Sequence, residues 1–478
     1  MEQKLLTDLL KKYKKSSFNT SVIKDLLADE IKKCNKKIIV LDDDPTGVQT
    51  VHGVYVYTDW SLESIREGFT APEKLFYLLT NSRGLTEAQT IKVHTEIAER
   101  ILEVSKETGQ EFLIISRGDS TLRGHYPLET EVLKDILNMG TGREIDGEIL
   151  FPFFLEGGRF TAENIHYVNY GGTLIPAGGT EFAGDKTFGY HNSDLRRYIE
   201  EKSAGEYKAE SVTAISLESL KSGDIEGITK QLERISNFNK VIVNALDYQD
   251  VEVFCIALYM AINRGKNFLF RSAASFVKIM GGISDRPLLK KAEMIEKMDR
   301  NNTNGGLIVA GSHTAKTTEQ LNGLRNRKDI AFLEFDSDLV LIDKLEDEVE
   351  RIITLAARKI SAGITVVIYT KRKLLVLDND TTEDALLRSV KISEALQSVV
   401  GRFPIRPAFV IAKGGITSSD IGVKALQVKR ALVLGQAAQG IPVWKTDEES
   451  KFPGIPYIIF PGNVGNEDTL REVVDQLT

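Results

Sequence analysis

Lys37-Ile38-Ile39-Val40-Leu41-Asp42-Asp43-Asp44-Pro45-Thr46-Gly47 is the stretch that decides the fold. An unbroken apolar run enters three adjacent carboxylates and then a Pro-Thr-Gly turn. Such a run fits a buried strand whose C-terminal end emerges at a turn. Neighbouring acids repel one another, so a solvated turn or a positive ligand has to offset them. Ligands of open α/β sheets bind beyond the carboxyl ends of the strands. The stretch therefore predicts a site for a metal, a general base or substrate hydroxyls.

Working outward, strands are expected at 38–43, 54–58, 75–80, 112–116, 149–154, 214–217, 241–245 and 268–271, with helical patterns such as 86–108 and 250–263 between them. A second series runs through 307–310, 331–335, 366–370, 408–412, 432–434 and 457–460. Alternation of this kind predicts an α/β fold with mainly parallel sheets covered by helices. Two α/β domains are expected, with the active site in an interdomain cleft. The expected division is an N-terminal helical extension at 1–35, a first domain at 36–280, a connector at 281–305 and a second domain at 306–478. Leu5, Leu6, Leu9, Leu10 and Tyr13 give the extension its helical spacing. Residues 156–192 are Gly-rich without clear periodicity, which reads either as a lid or binding loop or as secondary structure hidden by a weak pattern.

Composition narrows the function. The chain has 478 residues, 42% of them apolar and 27% charged, with a net charge of −7. That balance offers no basic footprint for nucleic acid. Cys34 and Cys255 cannot make a disulfide framework, and no Cys spacing suits a metal. No signal-peptide pattern opens the sequence, and no apolar run approaches the roughly 20 residues of a membrane span. A cytoplasmic location is the default expectation. The apolar content permits a homodimer without arguing for one.

A second dense stretch is Ser116-Arg117-Gly118-Asp119-Ser120-Thr121-Leu122-Arg123-Gly124-His125-Tyr126-Pro127, again after an expected strand. Arg83, Arg159 and Arg271 also follow or end expected strands or lie in glycine turns. Guanidinium groups bind carboxylates through a planar fork of donors. Acids and arginines gathered near strand ends suit a small, polyhydroxylated, anionic substrate. Salt bridges within the protein are the ordinary alternative for any one arginine.

The second series carries different turns. Lys413-Gly414-Gly415-Ile416-Thr417 follows a strand and opens a helix, as do Gly311-Ser312-His313-Thr314 and Pro461-Gly462-Asn463-Val464-Gly465. Glycines let backbone N–H groups approach phosphate closely. Each turn alone also reads as a plain strand-to-helix junction. No G-x-x-x-x-G-K-[ST] occurs, and no G-x-G-x-x-G follows the first strand. His125 and His313 lie in the loops just named; the histidines as a set show no metal-ligand spacing.

With these motifs in this order, the chain resembles the four-carbon acid sugar kinases. The family's D-D-x-T-G matches Asp43 to Gly47, its D-S-T-L-R-G matches Asp119 to Gly124, and its Gly-Arg pair matches Gly158-Arg159. Its C-terminal Gly-Ser turn, G-G-x-T and P-G-N-V-G match Gly311-Ser312, Gly414 to Thr417 and Pro461 to Gly465. Asp42 stands where members usually have a small residue, and Arg117 where many have Lys. Phe270 to Ser275 departs from the family's Gly-Ser-rich segment.

The resemblance implies a sugar-acid domain followed by a nucleotide-binding domain, and phosphorylation of the C4 hydroxyl of a threonate, erythronate or 3-oxo-tetronate type acid. ATP and Mg²⁺ are the implied cofactors. Asp43, Asp44 and Asp119 are the expected catalytic residues, with Asp119 favoured as the base. Arg83, Arg117, Arg123, Arg159 and Arg271 are expected at the substrate, and Ser312, Gly414, Gly415, Ile416, Thr417, Gly462 and Asn463 at the nucleotide; no metal ligand is assigned. A non-catalytic sensor of sugar acid and nucleotide, or a kinase for another small hydroxy acid, is the alternative. A dehydrogenase or aldolase would need a dinucleotide fingerprint or a Schiff-base lysine, and neither is visible.

Overall fold

The computed structural model describes residues 3–13, 20–295, 302–373, 375, 377, 382–462 and 464–478, with side chains from 387 onward in the helix that opens at Thr382. The chain forms two compact units, Met1–Val51 with Asp59–Asp285, and His52–Thr58 with Arg286–Thr478. Each is an α/β structure.

In the first unit, Lys37–Asp42 is a strand buried at every position. It belongs to a parallel sheet in the order Thr213–Ile215, Asn239–Val243, Gly147–Phe151, Phe268–Ser272, Phe112–Arg117, Lys37–Asp42, Leu75–Leu79. From Lys37–Asp42 the chain passes to Leu75–Leu79 on one side, then to Phe112–Arg117 on the other. That reversal is a topological switch point, where α/β sheets bind ligands. Helix Glu87–Thr108 joins the two flanking strands. Thr86 and Gln89 close a capping box at its start, and left-handed Gly109 ends it. Helix Tyr248–Asn263 is buried along almost all its length and carries Thr20–Lys33 on its surface.

Of the two readings of residues 156–192, secondary structure hidden by a weak pattern holds for 159–176. Arg159–Ala162, Ile165–Tyr170 and Thr173–Pro176 make an antiparallel meander, completed by Lys4–Leu5 into a four-stranded sheet. These strands are too short to show a period, and left-handed residues at Glu163, Asn164, Gly171 and Gly172 break the pattern at every turn. The helix at the N-terminus spans Leu6–Lys12; Leu9 and Tyr13 are buried, whereas Leu5 has joined the strand and is exposed with Leu10.

The second unit has the strand order Val54–Tyr57, Arg430–Ala438, Ile441–Thr446, Pro456–Phe460, Val410–Lys413, Leu307–Ala310, Thr365–Thr370, Ile330–Phe335. The first four pair antiparallel with one another, and from Pro456–Phe460 onward the pairs are parallel. Val54–Tyr57 follows Lys37–Asp42 in sequence but hydrogen-bonds to Arg430–Val433. The expected strand at 432–434 is the centre of a bulged strand, Arg430–Ala438. Ile441–Thr446 escaped notice because Pro442 argues against an inner strand. Ile308, Val367, Ile411, Ile458 and Phe460 form the centre of this unit's core with Leu470 and Val473. Lys291–Met294 is the described part of the connector's charged helical stretch. Among the described residues, no helix is long and apolar enough to cross a membrane.

Candidate functional site

At the switch point of the first sheet, Asp42 and Arg117 are register partners on adjacent strands. Arg117 Nη1 donates to Asp42 Oδ1 at 3.2 Å and to Asp43 Oδ1 at 3.3 Å. The two departures from the family pattern are thus one salt bridge. Burial drives the Asp42 carboxyl up, Arg117 draws it back and Asp43 pushes it up again, leaving it raised to about 7. The folded chain therefore holds a proton that the unfolded chain releases between the ordinary carboxylate range and pH 7. Stability falls as pH rises through that window, and the loss stands in full above it. Asp42→Asn removes this dependence: urea midpoints should show the variant gaining on the wild type at about pH 8 relative to about pH 5, and an identical difference at both would contradict it.

Asp44 caps the Pro45–Val48 turn through Thr46 N, at 2.7 Å, and pairs with Arg83. Asp119 sits between two arginines, with Arg123 Nε donating to Oδ2 at 2.7 Å and Arg83 Nη1 at 3.6 Å from Oδ1. Burial alone would raise its carboxyl, but Arg123, Arg83 and the Thr121 hydroxyl outweigh that and hold it well below the usual range. Arg123 also reaches Asp185 at 3.8 Å. Asp43 keeps one buried oxygen, Oδ2, without a hydrogen-bond partner.

Arg159 comes from the meander. Its guanidinium stands 5.6 Å from the Phe182 ring centre, and Arg123 lies 5.2 Å from the same ring. Its only side-chain hydrogen bond among the described residues goes to the Gly157 carbonyl, and Nε is buried without a partner. Arg271 is further inside, bound to Glu129 and, at 2.9 Å, to Ser116 Oγ. Glu129 also accepts from Ser82 Oγ at 2.6 Å. A small cavity is lined by Asp119, Leu122, Leu150, Pro152, Tyr198, Arg271 and Ser272.

Several of these groups had no signal in the sequence. Glu129 reads as an ordinary acid in a helix's first turn. His166 is fully buried, and its ring bridges Thr161 Oγ1 at 2.9 Å and the Ser120 carbonyl at 2.8 Å, bracing the Asp119 loop. His125 is engaged with the Leu85 carbonyl at 2.9 Å.

In the second unit, three turns converge at the carboxyl ends of neighbouring strands. A Cβ on Gly311 would fall 2.6 Å from Thr417 Oγ1, and one on Gly414 would fall 3.4 Å from the Ser312 Cβ. Gly462 lies beside Ser312 and the Gly414 Cα. Gly414 has φ of 115°, a conformation that side chains disfavour. Gly415 opens the Gly415–Asp420 helix, with Ile416 exposed at 76% and Ser418 Oγ tied to the Ala412 carbonyl. Asn463 lies outside the described residues. Backbone this close, with no room for a Cβ at Gly311, fits a phosphate chain. Gly414→Ala is expected to cost about 1–3 kcal/mol in strain and to weaken nucleotide binding, read by urea unfolding and calorimetry; unchanged values would contradict the role.

Fold and sites together define a two-part α/β protein, with an arginine–carboxylate cluster on one sheet and phosphate-sized glycine turns on the other. Residues 38–280 match the family model of a sugar-binding N-terminal domain, and residues 307–470 that of a nucleotide-binding C-terminal domain. The chain belongs to the family built from these two domains. Its fold is similar to a Haemophilus influenzae protein of the DUF1537 family, with TM-score 0.60, 16% identity and coverage of 92% of this chain and 100% of that one. It is also similar to a Salmonella typhimurium LT2 protein described as a candidate tRNA synthase, with TM-score 0.64, 15% identity and coverage of 91% and 98%. Identities this low speak for the fold alone. A search of curated proteins finds no match.

Proposed function

We propose that the chain is an ATP-dependent kinase for the C4 hydroxyl of a four-carbon sugar acid such as threonate, erythronate or 3-oxo-tetronate. The observation that carries this reading is Arg159. Arg83, Arg117, Arg123 and Arg271 all pair with protein carboxylates. Arg159, half-buried beside them, forms no salt bridge among the described residues and has a buried, unpartnered Nε. A buried guanidinium needs an anion, and a substrate carboxylate matches its fork of donors. Asp119, Asp43 and Asp44 then offer oxygens for the substrate's hydroxyls.

In the reaction the C4 hydroxyl oxygen bonds to the γ-phosphorus, the bridging P–O bond breaks, and ADP leaves with that electron pair. The hydroxyl proton passes to Asp119 or onward to water. A carboxylate held so firmly ionised is a weak proton sink. Phosphoryl transfer through a loose transition state asks chiefly for an oriented hydroxyl, which an ionised Asp119 provides. Gly311-Ser312, Gly414 to Thr417 and Gly462 would hold the phosphates. Among the described residues, no group of three or more His, Cys, Asp or Glu is placed to hold a metal. Mg²⁺ would therefore be held mainly by phosphate and water, with at most one or two protein oxygens.

Phosphorus NMR of the product tests the position of transfer. Coupling of the new phosphate to the C4 protons is the expected result. A phosphate on another oxygen would overturn the assignment of the acceptor, and no phosphorylated acid from any of these substrates would overturn the reading.

A further inference from the structure

Lys413 ends the Val410–Lys413 strand, and its side chain is 0% exposed. Nζ lies 3.3 Å from the Pro461 carbonyl and 4.1 Å from the centre of the Phe460 ring. Both contacts are to neutral groups. A buried ammonium without an anion is costly. Two more cations lie close by. Arg372 follows the Thr365–Thr370 strand, which lies beyond Leu307–Ala310 in the sheet, donating from Nε to Thr318 Oγ1 at 3.1 Å and from Nη2 to the Thr314 carbonyl at 3.3 Å. Its Nη1 is buried without a partner. Lys316 stands in the first turn of the Ala315–Leu324 helix and donates to the Gly465 carbonyl at 3.1 Å.

Burial lowers the Lys413 ammonium to about 7, and the charges of Lys316 and Arg372 push it the same way. This chain has 68 acids against 61 bases, so a carboxylate partner would be easy to supply. Among the described residues none of the three cations has one. Instead Lys413 ends the strand that leads into Gly414, Lys316 lies in the helix after the Gly311 turn, and Arg372 follows the strand paired with that of Gly311. Glycine turns present neutral N–H groups and accept any phosphate of the right shape. Clustered cations repel one another, and a polyanion relieves that repulsion in proportion to its charge.

We propose that Lys413, Lys316 and Arg372 form a cation cluster for the terminal phosphates of a nucleoside triphosphate, and that this cluster makes the site prefer triphosphate over diphosphate. The inference rests on the kinase reading above and extends it to the groups that select the phosphate donor. Arg372 and Lys316 are the outer members. Lys413 is the inner one, and burial makes its charge the most dependent on the ligand.

Calorimetry with ATP, ADP and inorganic tripolyphosphate tests it, on the full chain and on Arg372→Gln and Lys413→Met. Met keeps the buried volume at 413, and Arg372→Gln changes a side chain at the rim, so at least one variant should fold. Wild-type protein should bind ATP about tenfold or more tightly than ADP, and should bind tripolyphosphate. Each variant that folds should lose about tenfold for ATP and tripolyphosphate, bringing the ATP-to-ADP ratio towards one. Unchanged ratios in folded variants would overturn the inference and leave the kinase reading standing. Failure of the wild type to bind any nucleotide would overturn both.

Discussion

Asp119→Asn is expected to lower kcat by about 10²- to 10⁴-fold while leaving ATP affinity within about twofold of wild type. Asp119 lies in the sugar-binding half, where Arg83 and Arg123 keep it ionised. Asn has nearly the same shape and can still contact the substrate. What it lacks is the negative oxygen that, on the proposed reading, orients the attacking hydroxyl. The fold should survive, because Arg83 keeps Asp44 and Arg123 keeps Asp185. Steady-state kinetics with a calorimetric ATP titration separates the two effects. Wild-type kcat in a folded variant would remove Asp119 from the chemistry.

The largest stability effect is expected at Glu148, away from that chemistry. Glu148 and Lys240 are register partners on adjacent strands, 0% and 1% exposed, and joined by a salt bridge. Thr130 Oγ1 donates to Glu148 at 3.0 Å. Lys240 Nζ lies 3.8 Å from the Phe238 ring centre and 4.0 Å from that of Tyr207. Glu148→Gln leaves a buried ammonium with aromatic faces, a neutral amide and, as its remaining acid, the Glu131 carboxylate that it does not contact directly. A loss of about 3–5 kcal/mol follows from breaking such a pair on one side. Adding Lys240→Met removes the orphaned charge and should restore much of it. Urea unfolding of the single and double variants gives both values. A Glu148→Gln midpoint equal to wild type would mean the pair contributes nothing.

How much of this was legible depends on whether the signal was local. The continuous apolar run of Lys37–Asp42 and its acid turn carry the parallel sheet and the place of its site, because a strand buried on both faces writes its burial into consecutive residues. Gly311, Gly414 and Gly462 were legible for a similar reason: glycine directly after an apolar strand is a backbone requirement. The meander behind Arg159 was not, since strands of four to six residues between left-handed turns show no clear period. Nor was the pairing of Val54–Tyr57 with Arg430–Val433, which depends on contacts far apart in sequence. The arginines near strand ends could be picked out, but not their partners. Only the fold reveals that Asp42 answers Arg117, that Glu129 takes Arg271, and that Arg159 is left without an acid among the described residues. Lys413 was visible beside its glycines, whereas its burial was not.

ADP release from Mg²⁺–ATP, measured against both enantiomers of threonate and erythronate, their 3-oxo derivatives and 4-hydroxythreonine, tests the central claim most directly. Substrate-dependent release with at least one acid, abolished in Asp119→Asn, is the predicted result. ATP that binds but is never turned over with any of them would contradict the claim and leave a binding protein for nucleotide and sugar acid in its place.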